Sequence, residues 1–251
     1  PEDDTGDSRE ERAFRMWINS LGIEGVHCDN LFDDVRDGLV LLHTMDHIRP
    51  GAVQWGRVNK KEKCKMVFKR NENCSYVIDL GKDPFAFSLV GVGGKDIVDG
   101  NKKLTLGLIW QMMRTDMMAF MAKVRSGTGQ AMTDKAIVKW ANDKVGSAAP
   151  PINDFHDRSL ADGLFLIELL AAIEVRCIDR TLVTPGKTDD EKKLNAKYVL
   201  SSARKIGCSL FLLWEDIVEV KPKMILSFVA AVMSHDMQNT PLTTPRGTVR
   251  E

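Results

Sequence analysis

The sequence predicts an all-α protein made of two tandem copies of one helical bundle. Three observations lead there. No stretch shows the sustained apolar–polar alternation of a half-buried strand, whereas apolar residues recur at helical spacing along most of the 251 residues. Leu104, Leu106, Leu108, Ile109, Trp110, Met112 and Met113 cover nearly a full helix circumference at about 100° per residue. Only Gly107, Gln111 and Arg114 leave a polar strip, so other helices should wrap this one. Finally, the pattern recurs. Asp96-Ile97-Val98, Lys103, Leu106 and Met113 match Asp216-Ile217-Val218, Lys223, Leu226 and Met233 without a gap. Asp37-Gly38-Leu39 matches Asp162-Gly163-Leu164, Asn73 and Tyr76 match Asn195 and Tyr198, and Trp17 matches Trp140. Each copy spans roughly 100 residues, enough for its own core.

The elements follow in order. Residues 1–7 are acidic and are expected to be loose. Ser8 and Glu11 have the spacing of a capping box, so a first helix should start there, bury Phe14, Trp17, Ile18 and Leu21, and stop at Gly22. Asp29 to Ile48 reads as one helical region with Gly38 inside it, a position that suits close helix contact, and Pro50-Gly51 ends it. Val53 to Arg70 reads as a polar connection and the most basic stretch, with Lys60, Lys61, Lys63, Lys65, Lys69 and Arg70. Asn71 to Leu80 is helical and ends at Gly81. A loop containing Phe85 to Val92 then leads through the Asp99-Gly100-Asn101 turn into the apolar helix. Met117 to Val124 reads as a tail to the first unit. In the second copy, Thr133 or Asp134 caps a helix holding Ile137, Val138, Trp140 and Ala141. Asp162 to Ile173 and Glu191 to Ile206 are the next helices. These boundaries give a first domain at 8–125, a linker at 126–131, a second domain at 132–237 and a disordered tail at 238–251.

Composition narrows the function. The chain is 43% hydrophobic and 28% charged with zero net charge, which argues against nucleic acid or an anionic membrane chosen by bulk charge. No apolar run is long enough to span a bilayer. The five cysteines include no CxxC pair and read as reduced, buried thiols of a cytosolic protein. A chain opening on Pro1 reads as a piece of a longer one. Gly91-Val92-Gly93-Gly94-Lys95 lacks the Ser or Thr and the spacing of a phosphate loop. His43 and His47 stand at i, i+4 without the HExxH glutamate or a third ligand, so metal is not expected. Asp96 to Asn101 has the wrong acid spacing for calcium. No nucleophile setting is visible. The residues therefore describe a binding or structural module without an enzyme's apparatus or a cofactor.

The doubled unit, with DGLVLL and DGLFLI midway and DIVDGNKKLTLGLIW late in the first copy, resembles the calponin homology domain over residues 9–237. Two in tandem resemble the actin-binding module of the spectrin, α-actinin, filamin and fimbrin group. The second copy departs from the string at Val220, Pro222 and Ala230, as second-type domains do. SREERAFRMWINSLG, RNENCSYVIDLGKDPFAFSLVGVGGKDIVDGN and EDIVEVKPKM are similar to the C-terminal pair of the fimbrin (plastin) family. The resemblance implies actin filaments as partner, a monomeric piece, and a place in the cytoplasm on the actin cytoskeleton. It implies contacts at Arg12, Arg15, Met16 and Asn19 on the first helix. Further contacts are implied at Asn101, Lys102, Lys103, Thr105 and Trp110 on the last helix of the first domain and its approach. Lys135, Lys139 and Asn142 on the first helix of the second domain complete the set. The alternative reading is an adaptor or phosphoinositide-binding module that uses the basic segment Arg57 to Arg70.

Overall fold

A computed structural model describes residues 5–124 and 132–239. The chain forms two compact units, Pro1–Ala119 and Phe120–Glu251, and no strand occurs among the described residues. The expected linker at 126–131 and the tail beyond Asn239 lie outside the described residues.

In the first unit α1 runs Thr5–Ser20, α2 Leu31–Asp34, α3 Leu39–Ile48, α4 Val67–Lys82 and α5 Gly94–Val98, and α6, Lys102–Val124, starts there and runs past the boundary at Ala119. In the second, α7 runs Asp134–Val145, α8 Leu164–Ile173, α9 Asp189–Lys205, α10 Trp214–Val218 and α11 Pro222–Asn239. Several expected boundaries move. Helix α1 starts at Thr5, ahead of Ser8, so Ser8 is not its N-cap. Helix α4 begins at Val67 inside the basic stretch, and Gly81 is within it. Residues 117–124 continue α6 rather than trailing from it.

The region 29–48 is not one helix. Gly38 has φ 79° and is the N-cap of α3, as Gly163 with φ 75° is of α8. A Cβ at Gly38 would stand 2.9 Å from the Asn73 Cβ, so the close contact is between α3's start and α4. Asp37 Oδ1 accepts from Leu39 N at 2.9 Å, and Asp162 Oδ1 accepts from Leu164 N at 2.8 Å.

The two copies share one internal network. Asn73 Nδ2 donates to Asp37 O (2.9 Å) and Asn59 O (3.0 Å), while its Oδ1 accepts from Asn59 N at 2.8 Å. Asn195 repeats this with Asp162 O (2.8 Å), Thr184 O (3.1 Å) and Thr184 N (2.9 Å). Tyr76 and Tyr198 hydroxyls accept from Gln54 N and Asp179 N. Asp96 and Asp216 carboxylates accept from Gly93 N and Leu213 N, each at 2.8 Å, opening α5 and α10. Cores close around these frames. Ala231 alone within Met224–Met233 escapes full burial, whereas within Leu104–Met113 of α6 Leu104, Gly107, Trp110 and Gln111 keep partial exposure. Gln111 uses that strip to hold the preceding loop, accepting from Ser88 N (2.7 Å) and donating to Ser88 O (3.1 Å).

One matched position differs in chemistry. His43 lies against Trp55 with ring centroids 4.3 Å apart, and burial lowers the His43 pKa. Its counterpart Glu168 accepts from Nη1 and Nη2 of Arg180, the counterpart of Trp55. If the frames are interchangeable, His43→Glu and Trp55→Arg should each destabilise alone and partly rescue one another. The expected coupling is about 0.5–1 kcal/mol, the range of a partly exposed pair. Urea unfolding of the four cycle members would measure it, and strictly additive losses would refute the equivalence.

Candidate functional site

The candidate surfaces are on α1 and the start of α6 in the first unit, and on α7 in the second. Helix α1 is held to α6 by Phe14 stacked on Trp110, with centroids 6.4 Å apart at 26°. Trp17 Nε1 also donates to Asp116 Oδ2 at 3.2 Å. Among the α1 candidates, Met16 is 37% exposed. Arg12 is half-buried and engaged within the fold. Arg15 Nη1 donates to Asp29 O at 3.1 Å. Asn19 uses both ends of its amide internally, donating to Cys28 O (2.8 Å) and accepting from Cys28 N (2.9 Å). Asn142 does the same with Ile152 O (2.9 Å) and N (3.0 Å). These two asparagines therefore fasten the loop that follows each copy's first helix. The sequence carried that signal, since Trp17-Ile18-Asn19 and Trp140-Ala141-Asn142 are matched positions.

Helix α6 opens on a polar ledge. Asn101 Oδ1 accepts from Leu104 N at 3.2 Å and so caps the helix start. Asn101, Lys102 and Lys103 are all exposed, and Lys102 Nζ stands 5.5 Å from the Phe32 ring centroid. Thr105 differs: it is 1% exposed, so its hydroxyl faces the interior and not a partner. Trp110 is half-buried against Phe14, about 10 Å of helix rise beyond Lys103. Trp110 thus packs with α1, and the cationic ledge lies about 10 Å from it along α6. In α7, Lys135 and Lys139 are exposed, and Lys139 Nζ pairs with Asp143 Oδ2 at 2.6 Å.

The basic segment is partly consumed by the fold. Lys61 Nζ pairs with the buried Asp37 at 2.6 Å, which raises the lysine's pKa, and Lys69 pairs with Glu72 at 2.8 Å. Arg70 Nε donates to Cys64 O. Beside these lie Met66, Val67 and Phe68, exposed by 46%, 58% and 55%, an apolar step that periodicity did not single out.

Chemistry is sparse. Burial pushes the Cys28 and Cys74 thiols up to about 12 and Cys208 to about 11, so they are poor nucleophiles at neutral pH. Among the described residues no group of three or more His, Cys, Asp or Glu is arranged to hold a metal ion. No described helix is long and apolar enough to cross a membrane.

Residues 8–117 and 131–238 each match the calponin homology (CH) domain. Fimbrin-3 of Arabidopsis thaliana is 51% identical over 92% of this chain and 32% of its own length. Plastin-3 of Homo sapiens is 42% identical over 93% of this chain and 37% of its own. The crystal structure of the actin-crosslinking core of Schizosaccharomyces pombe fimbrin superposes with a TM-score of 0.81 at 38% identity, covering 93% of this chain and 49% of that one. The chain thus spans about a third of the curated relatives it matches and about half of that solved core.

Proposed function

This chain belongs to the calponin homology family, with two such domains in tandem, and from that premise we propose that it is an actin-filament-binding module of a cross-linking protein of the fimbrin or plastin type. The observation that carries the reading is likeness over 93% of the chain, at 38% identity, to a fimbrin core that cross-links actin. The two domains are read as 8–125 and 132–237, and the module works by docking, not by catalysis, on the actin cytoskeleton. The exposed Asn101-Lys102-Lys103 ledge supports docking, because exposed lysines favour encounter with an acidic surface. Met16, Lys135 and Lys139 offer further exposed side chains; Asn19, Asn142 and Thr105 act through the frame that holds them.

Lys102→Glu with Lys103→Glu should weaken filament co-sedimentation by about 1–3 kcal/mol through added repulsion. Both side chains are exposed, so the melting transition should stay in place. Unaltered co-sedimentation with an intact transition would remove the ledge from the interface.

One observation favours a second reading. Met66, Val67 and Phe68 are exposed next to Lys65, a pairing that suits an anionic lipid surface, where each basic residue near the surface adds about 1 kcal/mol. Flotation on liposomes containing phosphoinositide, run beside filament sedimentation at physiological salt, separates the two. Flotation without sedimentation would replace the filament reading.

A further inference from the structure

Two arginines of the first unit are fixed by the fold at one end and open at the other. Arg70 Nε donates to Cys64 O, which ties the guanidinium to the connection before α4. Its Nη1 and Nη2 have no hydrogen bond or ion pair among the described residues. Arg36 Nε donates to Val98 O at 2.7 Å, and a Cβ at Gly100 would stand 3.8 Å from Arg36 Cζ, so this guanidinium is also held in one place. Its Nη1 lies 3.7 Å from Asp33 Oδ1, beyond hydrogen-bond reach. The shared frame needs neither arginine. The residue matched to Arg36 is Ala161, just before Asp162 as Arg36 is just before Asp37. The residue matched to Arg70 is Lys192, three before Asn195 as Arg70 is three before Asn73.

Both arginines line one cavity of about 550 Å³, together with Lys65, Asp33 and Glu62. Lys61 and Asp37, also in its lining, satisfy each other at 2.6 Å. Lys65 is exposed and has no ion pair among the described residues. A guanidinium anchored through Nε offers its two Nη groups as a fork, and such forks suit the oxygens of a phosphate. Asp33 and Glu62 are exposed on the same wall. An extended anionic surface such as a membrane would press its charge on these carboxylates as well, whereas a single phosphate can rest on the cations alone. Directly after Lys65, Met66 and Val67 are 46% and 58% exposed, which gives apolar side chains beside that phosphate a place to pack.

We propose that this cavity receives a phosphorylated serine or threonine side chain from a segment of another protein. The phosphate takes the Nη groups of Arg70 and Arg36 and the Lys65 ammonium, and apolar neighbours of the phosphorylated residue lie on Met66 and Val67. Recognition of a phosphorylated segment is independent of filament docking and stands or falls apart from it.

The test is a titration of the whole chain with an acetylated, amidated glycine-leucine-phosphoserine-leucine-glycine peptide, followed by NMR of the arginine Nε–H signals and the Met66 methyl. The same peptide with serine, and with glutamate, in place of phosphoserine provides the controls. The phosphopeptide should move the Arg36, Arg70 and Met66 signals to saturation, and inorganic phosphate should displace it. The serine peptide should move none of them, and the glutamate peptide, with one charge fewer and no tetrahedral oxygens, should bind about tenfold more weakly. Arg70→Lys keeps the charge but removes the fork, and the second copy already carries lysine at that place in the frame. It should weaken phosphopeptide binding about fivefold or more, and Lys65→Gln, at an exposed position, should also weaken it. Silent arginine signals, equal binding of the phosphoserine and glutamate peptides, or undiminished affinity in both variants would overturn the proposal. Flotation on phosphatidylcholine vesicles containing phosphatidylinositol phosphate, lost in Arg70→Lys while the phosphopeptide stays silent, would assign the cavity to a lipid headgroup and overturn it as well.

Discussion

Asn73→Ala should lower the stability of the first unit by about 3 kcal/mol, and Asn195→Ala should do nearly the same in the second, since leaving buried polar groups unpaired costs about 1–3 kcal/mol each. Asn73 is 1% exposed and Asn195 is wholly buried, so water does not replace the amide without opening the structure. Each amide fixes two strands of chain at once. In the first unit it ties the turn before α3, through Asp37 O, to the connection before α4, through Asn59 N and O. Truncation strands the Asp37 carbonyl on one side and the Asn59 N–H on the other, and leaves Asn59 O only the weak Cys64 Sγ donor at 3.5 Å. It also leaves Gly38's close approach facing a smaller neighbour, although the alanine Cβ still bars any side chain there, at 2.9 Å. The loss should appear in urea unfolding and, more specifically, as faster hydrogen exchange at the Asn59 amide. A cost below about 1 kcal/mol, with exchange at Asn59 unchanged, would show that the amide is incidental to the frame.

The parts of the fold that could be read from sequence are those with a period or a duplicate. The apolar circumference of α6 and its echo in α11 announce buried helices, and both are found as such, with Gln111 and Gly107 on the strip left open. Asn73, Tyr76 and Asp96 could be marked as important because each has a partner in the second copy. Their roles stayed hidden, because an amide that binds backbone 14 or 36 residues away leaves no periodic trace. The same cause explains the misreadings. Periodicity reads through Gly38 because the turn at Val35–Gly38, left-handed only at Gly38 itself, is too short to break the apolar pattern around it. The start of α4 is hidden in the lysine run, since Val67 and Phe68 are apolar yet exposed and obey no core-facing rhythm. Among the site residues, exposure decided what composition did not. Thr105 sits between Leu104 and Leu106, just after the two lysines, and helix geometry turns it inward while Lys102 and Lys103 face out.

Filament binding should follow the first unit, and residues 132–237 alone should bind at least tenfold more weakly than the whole chain, a difference of about 1.4 kcal/mol or more. The two units share a frame but do not share the ledge. Where the first has Asn101, Lys102 and Lys103 exposed, the second has Lys221, Pro222 and Lys223. Lys221 Nζ pairs with Glu219 Oε2 at 3.2 Å, Pro222 carries no charge, and Lys223 is half-buried and engaged within the fold. Val220, at φ 54°, replaces the turn glycine, so even the approach to α11 has a different side chain on it. A cross-link requires two filament sites in one particle, because both filaments must be engaged together. With the cationic ledge present in one copy only, this chain as a monomer should decorate filaments without bundling them. High-speed sedimentation should therefore bring the chain down with filaments, while low-speed sedimentation, which collects only bundles, should leave both in solution. Circular dichroism of residues 132–237 must show a cooperative helical transition for its weak binding to count. Filaments pelleting at low speed with the monomeric chain, or tight binding by residues 132–237, would place a second full site in the second unit.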